Sequence, residues 1–362
     1  MIKPSSGLLT AENIIPAALL LLGLSGVLTI ASSQSGAEQP LYLVMRQLTF
    51  LVFGMSLFFI LSGIRFRTMT RISPLLFGLF WGLLLLLPFF GTKINGMRGW
   101  FKLGSFSFQP SEAGRPFFLL ALVVILCAVQ PGMKRFLLSG LLTFFWLLPI
   151  AVQPDFGMIL VYAVTFFILL YLSGTQWKYL TMLGTGAVCS ALFVLWRYPY
   201  VAKRFTGFLF PEQDPLGSGW HIRQFQFAVA RGGWTGSKMG GAVWSNAYLP
   251  YSYNDSAGAA LLETLGLLGA VIPLILFCLL LLALYTLAQK EDLRDSAKLF
   301  IAGTAVFFAV QMLIHMGINL ALLPPSGLVL PFISYGGSSL AGFCMMAGMA
   351  LSASKDKQST DF

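Results

Sequence analysis

Ten apolar runs limit what this chain can fold into. They fall at 14–31, 41–63, 74–91, 111–129, 136–152, 157–173, 178–196, 258–286, 298–322 and 331–352. A helix needs about 20 apolar residues to cross the hydrocarbon core of a bilayer. Inside lipid every backbone N–H and C=O must be bonded within the protein, and a helix does this locally. The runs therefore predict an all-α, polytopic membrane protein with about ten transmembrane helices. Composition excludes the soluble alternative. Only 10% of the residues are charged and 57% are apolar, whereas soluble domains carry about 25% charged residues.

An even number of spans puts both termini on one side, and the distribution of Lys and Arg says which. With cytoplasmic termini, the inner segments hold Lys3, Arg65, Arg67, Arg71, Lys134, Arg135, Lys178, Lys290, Arg294, Lys298, Lys355 and Lys357. The short outer loops hold only Lys93, Arg98 and Lys102, with Arg115 just inside a helix start. This is the positive-inside bias. It accounts for the net charge of +10 without a nucleic-acid partner. One loop stands apart. Residues 197–257 form a long extracytoplasmic loop rich in glycine and aromatics, within what reads as a single ten-span membrane domain over 1–362. Loops of this length are usually functional or disordered, and these aromatics argue against disorder. The four cysteines lie inside apolar runs without CxxC spacing, which predicts free thiols. The N-terminus lacks a basic start and a small-residue cleavage site, so the first run is expected to be retained.

Ionisable residues at span ends are the candidates for chemistry. Glu112 and Arg115 are three apart on a first helical turn, where they can face each other. Asp155 follows Pro154 at a helix start, so a capping role stands beside a cavity role. Asp255 precedes the eighth run and has the same two readings. Glu263 lies two turns into that run, about 80° round the axis from Asp255, and either pairs internally or serves the site. Arg46, Lys203, Arg204, Arg231 and Lys238 are candidates for phosphate or lipid head groups, against a reading as solvated charges. No P-loop, GxSxG or zinc-ligand spacing is present, which argues against a pump, a serine hydrolase or a zinc protease.

Five strings occur in a fixed order: Gln109-Pro110-Ser111-Glu112; Gln153-Pro154-Asp155-Phe156-Gly157; Asp214-Pro215-Leu216-Gly217; Asp255 followed by Glu263 and Gly266; and Leu330-Pro331-Phe332-Ile333-Ser334-Tyr335-Gly336-Gly337-Ser338-Ser339. In these, and in Arg46-Gln47, the chain resembles the SEDS family (shape, elongation, division and sporulation), the RodA/FtsW-like peptidoglycan glycosyltransferases, from about residue 41 to 352. The resemblance implies a multi-pass protein of the bacterial cytoplasmic membrane. It implies polymerisation of lipid II into glycan strands at the outer face, beside a class B penicillin-binding protein. Lipid II translocase and non-catalytic scaffold are the alternatives. By the same resemblance Asp255 is the catalytic general base of an inverting transfer. Arg46, Glu112, Arg115, Arg204, Lys238, Glu263 and Ser334 are expected to bind substrate. A divalent cation, Mg or Mn, is compatible with a pyrophosphate leaving group, though the sequence itself shows no metal site. The chain departs from the family pattern at Gly99, where an Arg usually precedes Trp100, at Ser237-Lys238, at Ser256-Ala257-Gly258, and at His315, where Asn is common.

Overall fold

A computed structural model describes residues 10–35, 40–94, 97–104, 106–237 and 240–358. The chain runs α1 (Ala11–Ser33), α2 (Pro40–Gly63) and α3 (Phe66–Phe90), then a small antiparallel sheet of β1 (Thr92–Ile94), β2 (Met97–Leu103) and β3 (Phe106–Phe108). Next come α4 (Pro110–Ala113), α5 (Arg115–Ala128), α6 (Met133–Val152), α7 (Phe156–Leu172) and α8 (Trp177–Arg197). The long loop holds α9 (Pro199–Leu209), α10 (Trp220–Gly232) and α11 (Val243–Ala247). The last elements are α12 (Ala257–Ala288), α13 (Asp295–Asn319) and α14 (Gly337–Ala353).

Among the described residues seven helices are long and apolar enough to cross a membrane, and three shorter apolar helices, α5, α7 and α14, occupy the remaining runs. The ten runs are thus all helical, but their ends move. The third begins at Phe66 rather than 74, because Arg67 and Arg71 sit on its first turns. The fourth is interrupted at Gly114, and the last begins at Gly337 rather than 331. Residues 321–336 have no helix, although 328–334 are buried. The large apolar side chains left exposed, such as Leu75, Phe89 and Trp196, are those a lipid solvent would cover.

The core is built on small residues and aromatics. Helix α14 packs mainly on α2. A Cβ on Gly348 would sit 2.4 Å from the Phe58 carbonyl oxygen, and one on Gly342 would sit 2.3 Å from that of Glu112. Such close backbone approach is how helices associate where apolar burial gives no drive. Phe332 takes a left-handed backbone (φ 65°), a conformation that persists in a bulky residue only when its surroundings over-determine it. Its ring lies 5.2 Å from both Phe308 and Phe343.

Helix α12 is two helices in one. Gly266 breaks it at φ 70°. There the Leu267 and Leu268 N–H groups donate to the carbonyls of Gly233 and Trp234 (2.9 and 3.0 Å). The short piece 257–265 thus belongs to the loop-rich end of the bundle, and the rest forms the span. A Cβ on Gly266 would meet the Gly236 nitrogen at 2.3 Å.

Gly266→Ala is expected to lower the melting temperature of the purified protein sharply. At φ 70° and ψ −178°, a region essentially confined to glycine, it adds about 1–3 kcal/mol of backbone strain to a backbone clash. Gly140→Ala in α6, where an added Cβ meets nothing within 4 Å, should leave melting unchanged or raise it slightly.

Candidate active site

Strands, loops and broken helices gather at one end of the bundle. This end carries the sheet, residues 153–155, the long loop and 321–336. The opposite end carries the short connections around Arg65, Gly132, Thr175 and Asp292. Three carboxylates of the loop-rich end are linked by their charges. Glu112 sits on α4, Asp155 at the start of α7, and Asp255 just before α12. Glu112 acts on the charge of Asp155, and both act on that of Asp255.

Arg115 answers the first of them. Its guanidinium is fully buried and donates to Glu112 Oε1 (3.2 Å) and to Ser339 Oγ (3.2 Å). It also stacks over Phe343, 4.2 Å from the ring centre. The expected i, i+3 pair therefore forms, as a buried pair between α4 and α5. A planar guanidinium suits it, since one group serves a carboxylate, a hydroxyl and an aromatic face.

Asp155 does cap a helix. Its Oδ1 accepts from the Met158 N–H (3.1 Å), and Gln109 Nε2 donates to its Oδ2 (3.4 Å). Burial pushes its pKa up to about 7, and Glu112 adds to the rise while Arg115 opposes it.

Asp255 does not cap. The position before α12 is Ser256, and no side chain of its own caps that helix. The Asp255 carboxylate instead lies against Gly327, where a Cβ would come 3.3 Å from Oδ2. Arg115 and Arg231 are paired with Glu112 and Glu263, and no cation is among the charges that shift Asp255. Burial, then the charges of Asp155 and Glu112, raise the Asp255 pKa to about 7. At neutral pH this group is poised to gain or lose a proton.

The backbone around Asp255 is held by polar side chains. Ser334 Oγ accepts from the Leu330 N–H (2.7 Å) and donates to the Asn254 carbonyl (2.8 Å). Gln47 donates to the Ser334 carbonyl (3.2 Å), and the Tyr335 N–H donates to the Tyr253 carbonyl (2.8 Å). Gln311 donates to the Val329 carbonyl (3.0 Å).

On the sheet, Gly99 is buried, and a Cβ there would lie 3.6 Å from Gln109 Nε2 and Gln153 Oε1. Its neighbour Arg98 donates outward to the Pro88 carbonyl (2.8 Å). A shift of one residue along a strand moves a side chain to the other face. Arg98 is thus no substitute for an Arg at 99, and the site-facing position of this chain carries no charge.

The chain matches the model of the cell cycle protein family of FtsW, RodA and SpoVE over residues 12–359. The chain belongs to this family. Its relatives include the probable peptidoglycan glycosyltransferase FtsW of Thioalkalivibrio sulfidiphilus, 34% identical over 92% of this chain and 86% of that one. The FtsW of Coxiella burnetii is also 34% identical, over 92% and 91%. Among solved structures it is similar to a chain from a study of how a peptidoglycan synthase complex coordinates polymerization and crosslinking (TM-score 0.79, 29% identity, 95% and 96% covered). The rod shape determining protein RodA of Thermus thermophilus gives a TM-score of 0.71 at 27% identity, with 99% of both chains covered.

Two residues of the family pattern, Glu263 and Ser334, are bonded within the protein. Glu263 is fully buried and accepts from the N–H groups of Trp244 and Ser245 (2.9 and 2.7 Å), from the Ser245 hydroxyl and from Arg231 (3.4 Å). It holds α11 and α10 to the short piece of α12, so no lone pair is left for substrate. Ser334 is likewise spent on backbone. Arg46 keeps a place near the site, half-buried beside Tyr42, Phe50 and Tyr335. Arg204 lies on the exposed side of α9 near His221 and is not among the charges that shift Asp255. Lys203 pairs with Asp214 at 3.9 Å. Lys238 falls outside the described residues. The charged groups that act on Asp255 are Asp155 and Glu112. Gln109, Gln153, His315 and Asn319 at this site were not singled out as binding residues. Gln109 and Gln153 open two of the family strings, which was the available signal. The sheet had its own signal, the Asn95-Gly96 dipeptide, a frequent hairpin sequence.

Arg115→Met should destabilise the fold by about 3–5 kcal/mol, because it leaves Glu112 buried and unpaired. Adding Glu112→Gln to that variant should recover most of the loss. Both are checked by thermal melting in detergent. Glu263→Ala should lower the melting temperature as well, since it strands buried backbone donors.

Proposed function

We propose that the chain is a peptidoglycan glycosyltransferase that polymerises lipid II at the outer face of the bacterial cytoplasmic membrane, with Asp255 as general base. The relatives' names support the activity. The observation that carries the role of Asp255 is a carboxylate at a helix start that is not spent on capping. The charge distribution supports the orientation. Arg65, Arg67, Arg71, Lys134 and Arg135 stand at the end opposite the site, which the positive-inside rule makes cytoplasmic.

The reaction is a single displacement. A sugar hydroxyl of one chain attacks the anomeric carbon of the other. The new C–O bond forms as the bond to the lipid pyrophosphate breaks, and configuration inverts. The hydroxyl proton passes to the Asp255 carboxylate, and the pyrophosphate departs as an anion. Asp155 and Glu112 keep the carboxylate basic enough to take that proton. Arg46, Arg204 and Lys238 remain the candidates for stabilising the leaving group. For Mg or Mn, no group of three or more ligating side chains gathers among the described residues. The residues therefore do not fit a protein-built metal cage, and no step is routed through one. The likeness to a chain of a peptidoglycan synthase complex supports a class B penicillin-binding protein as partner.

Transport of lipid II draws less support. The buried charges Glu112, Arg115, Asp155 and Glu263 share one end. At the other, Arg135 is occupied by the carbonyls of Leu126 and Ser173 (3.1 and 2.8 Å). No charged path joins them among the described residues.

Purified protein with its penicillin-binding partner, given lipid II, should make polymer. Asp255→Asn should reduce the rate by about 10²–10⁴-fold, the usual worth of a general base. Equal polymer from both would remove Asp255 from the mechanism, and no polymer with the partner bound would favour a scaffold.

The rate should also depend on pH. The base must be ionised, so activity rises with pH through about 7, not through the ordinary aspartate range near 4. A wild-type profile flat between pH 5 and 8 would contradict this.

A further inference from the structure

The start of α12 has two possible caps. Asp255 and Ser256 are the residue types most favoured for the task, yet neither performs it. The Ser256 hydroxyl turns back to the Pro250 carbonyl. The free first-turn donors go to α13 instead. The Gly258 N–H donates to His315 Nε2 (3.2 Å), and the Ala259 N–H donates to Asn319 Oδ1 (2.9 Å). Because Nε2 accepts, the ring proton sits on Nδ1, which donates to the Leu328 carbonyl (2.9 Å). Asn319 Nδ2 donates to the Asp255 carbonyl itself (3.1 Å). Both side chains are fully buried, one helical turn apart.

Together they grip the chain at 255, 258, 259 and 328. Those positions flank the carboxylate on two sides, since Gly327 is the surface it lies on. By taking over the capping bonds they also leave the Asp255 oxygens free. We propose that His315 and Asn319 are positioning residues for the glycosyl transfer, which hold Asp255 out of the helix cap and against Gly327. The inference rests on the reading of Asp255 as the base. Neither residue touches the reacting atoms. A displacement of about 1 Å at a reacting group costs about 10²-fold in rate.

Lipid II polymerisation with the penicillin-binding partner present tests this on four variants: His315→Phe, His315→Gln, Asn319→Leu and Asp255→Asn. His315→Phe keeps a planar ring and Asn319→Leu keeps the branching of the side chain, and both lose the bonds. Both should lower kcat by about 100-fold with KM within about twofold. His315→Gln, which can still accept from Gly258 and donate to Leu328, should recover to within about tenfold of wild type. The pH profile separates positioning from general loosening. Once α13 no longer caps α12, Asp255 can swing into the cap and accept backbone N–H groups, which favours the ionised form. The acid limb of kcat should then move below pH 7. The titratable groups that act with Asp255 are Asp155 at the start of α7, Glu112 from α4 and the neutral Tyr253 from its own loop, and none is altered. If Asp255→Asn is inactive while His315→Phe and Asn319→Leu keep wild-type kcat and acid limb, the positioning role is wrong. It is equally wrong if their activity falls only in step with the folded fraction measured by melting and partner capture, with the limb unmoved. If Asp255→Asn polymerises normally, the fault lies with the base assignment.

Discussion

A helix broken at membrane depth exposes backbone donors and acceptors that lipid cannot satisfy. This chain breaks its helices repeatedly at one end: at Gly114, at Gly266, before Ala257, and throughout 321–336. Every other feature of that end follows from how the released groups are bonded. His315, Asn319, Gln311, Gln47, Ser334 and Glu263 are buried polar side chains, and each is bonded to backbone of these segments or of α11. They allow irregular chain to remain inside the protein, where it surrounds Asp255.

The same economy governs charge. Of the three carboxylates around the site and the two groups beside them, Arg115 and Glu263, all but one are engaged. Glu112 and Arg115 pair, Asp155 caps α7, and Glu263 caps α11. Asp255 is the exception. A buried polar network rigidifies its surroundings when every member is satisfied. A single carboxylate left out of such a network keeps its lone pairs for a substrate. Catalytic groups need this combination of fixed position and free chemistry.

Some of this was readable from residue order. Apolar run length gave ten helices, because a span must match the bilayer whatever packs around it. The i, i+3 spacing of Glu112 and Arg115 gave their pairing, because both lie within one helical turn. Roles that depend on contacts distant in sequence were not readable. Position in the eighth run leaves Glu263 open between an internal pair and the site, and its partners Trp244 and Ser245 come from the long loop. Ser334 sat in a recognisable string, but its bond to Asn254 spans eighty positions. Asp255 looked as suited to capping as to catalysis, since helix-start preference is local and cannot sense α13.

The sequence by itself determined the solvent, the ten apolar helices and the family, since these depend on run length, charge sidedness and ordered short strings. Tertiary structure decided which polar residues are consumed by backbone and which remain free. That decision belongs to packing, because a buried hydrogen bond forms only where two segments far apart in the chain meet at bonding distance.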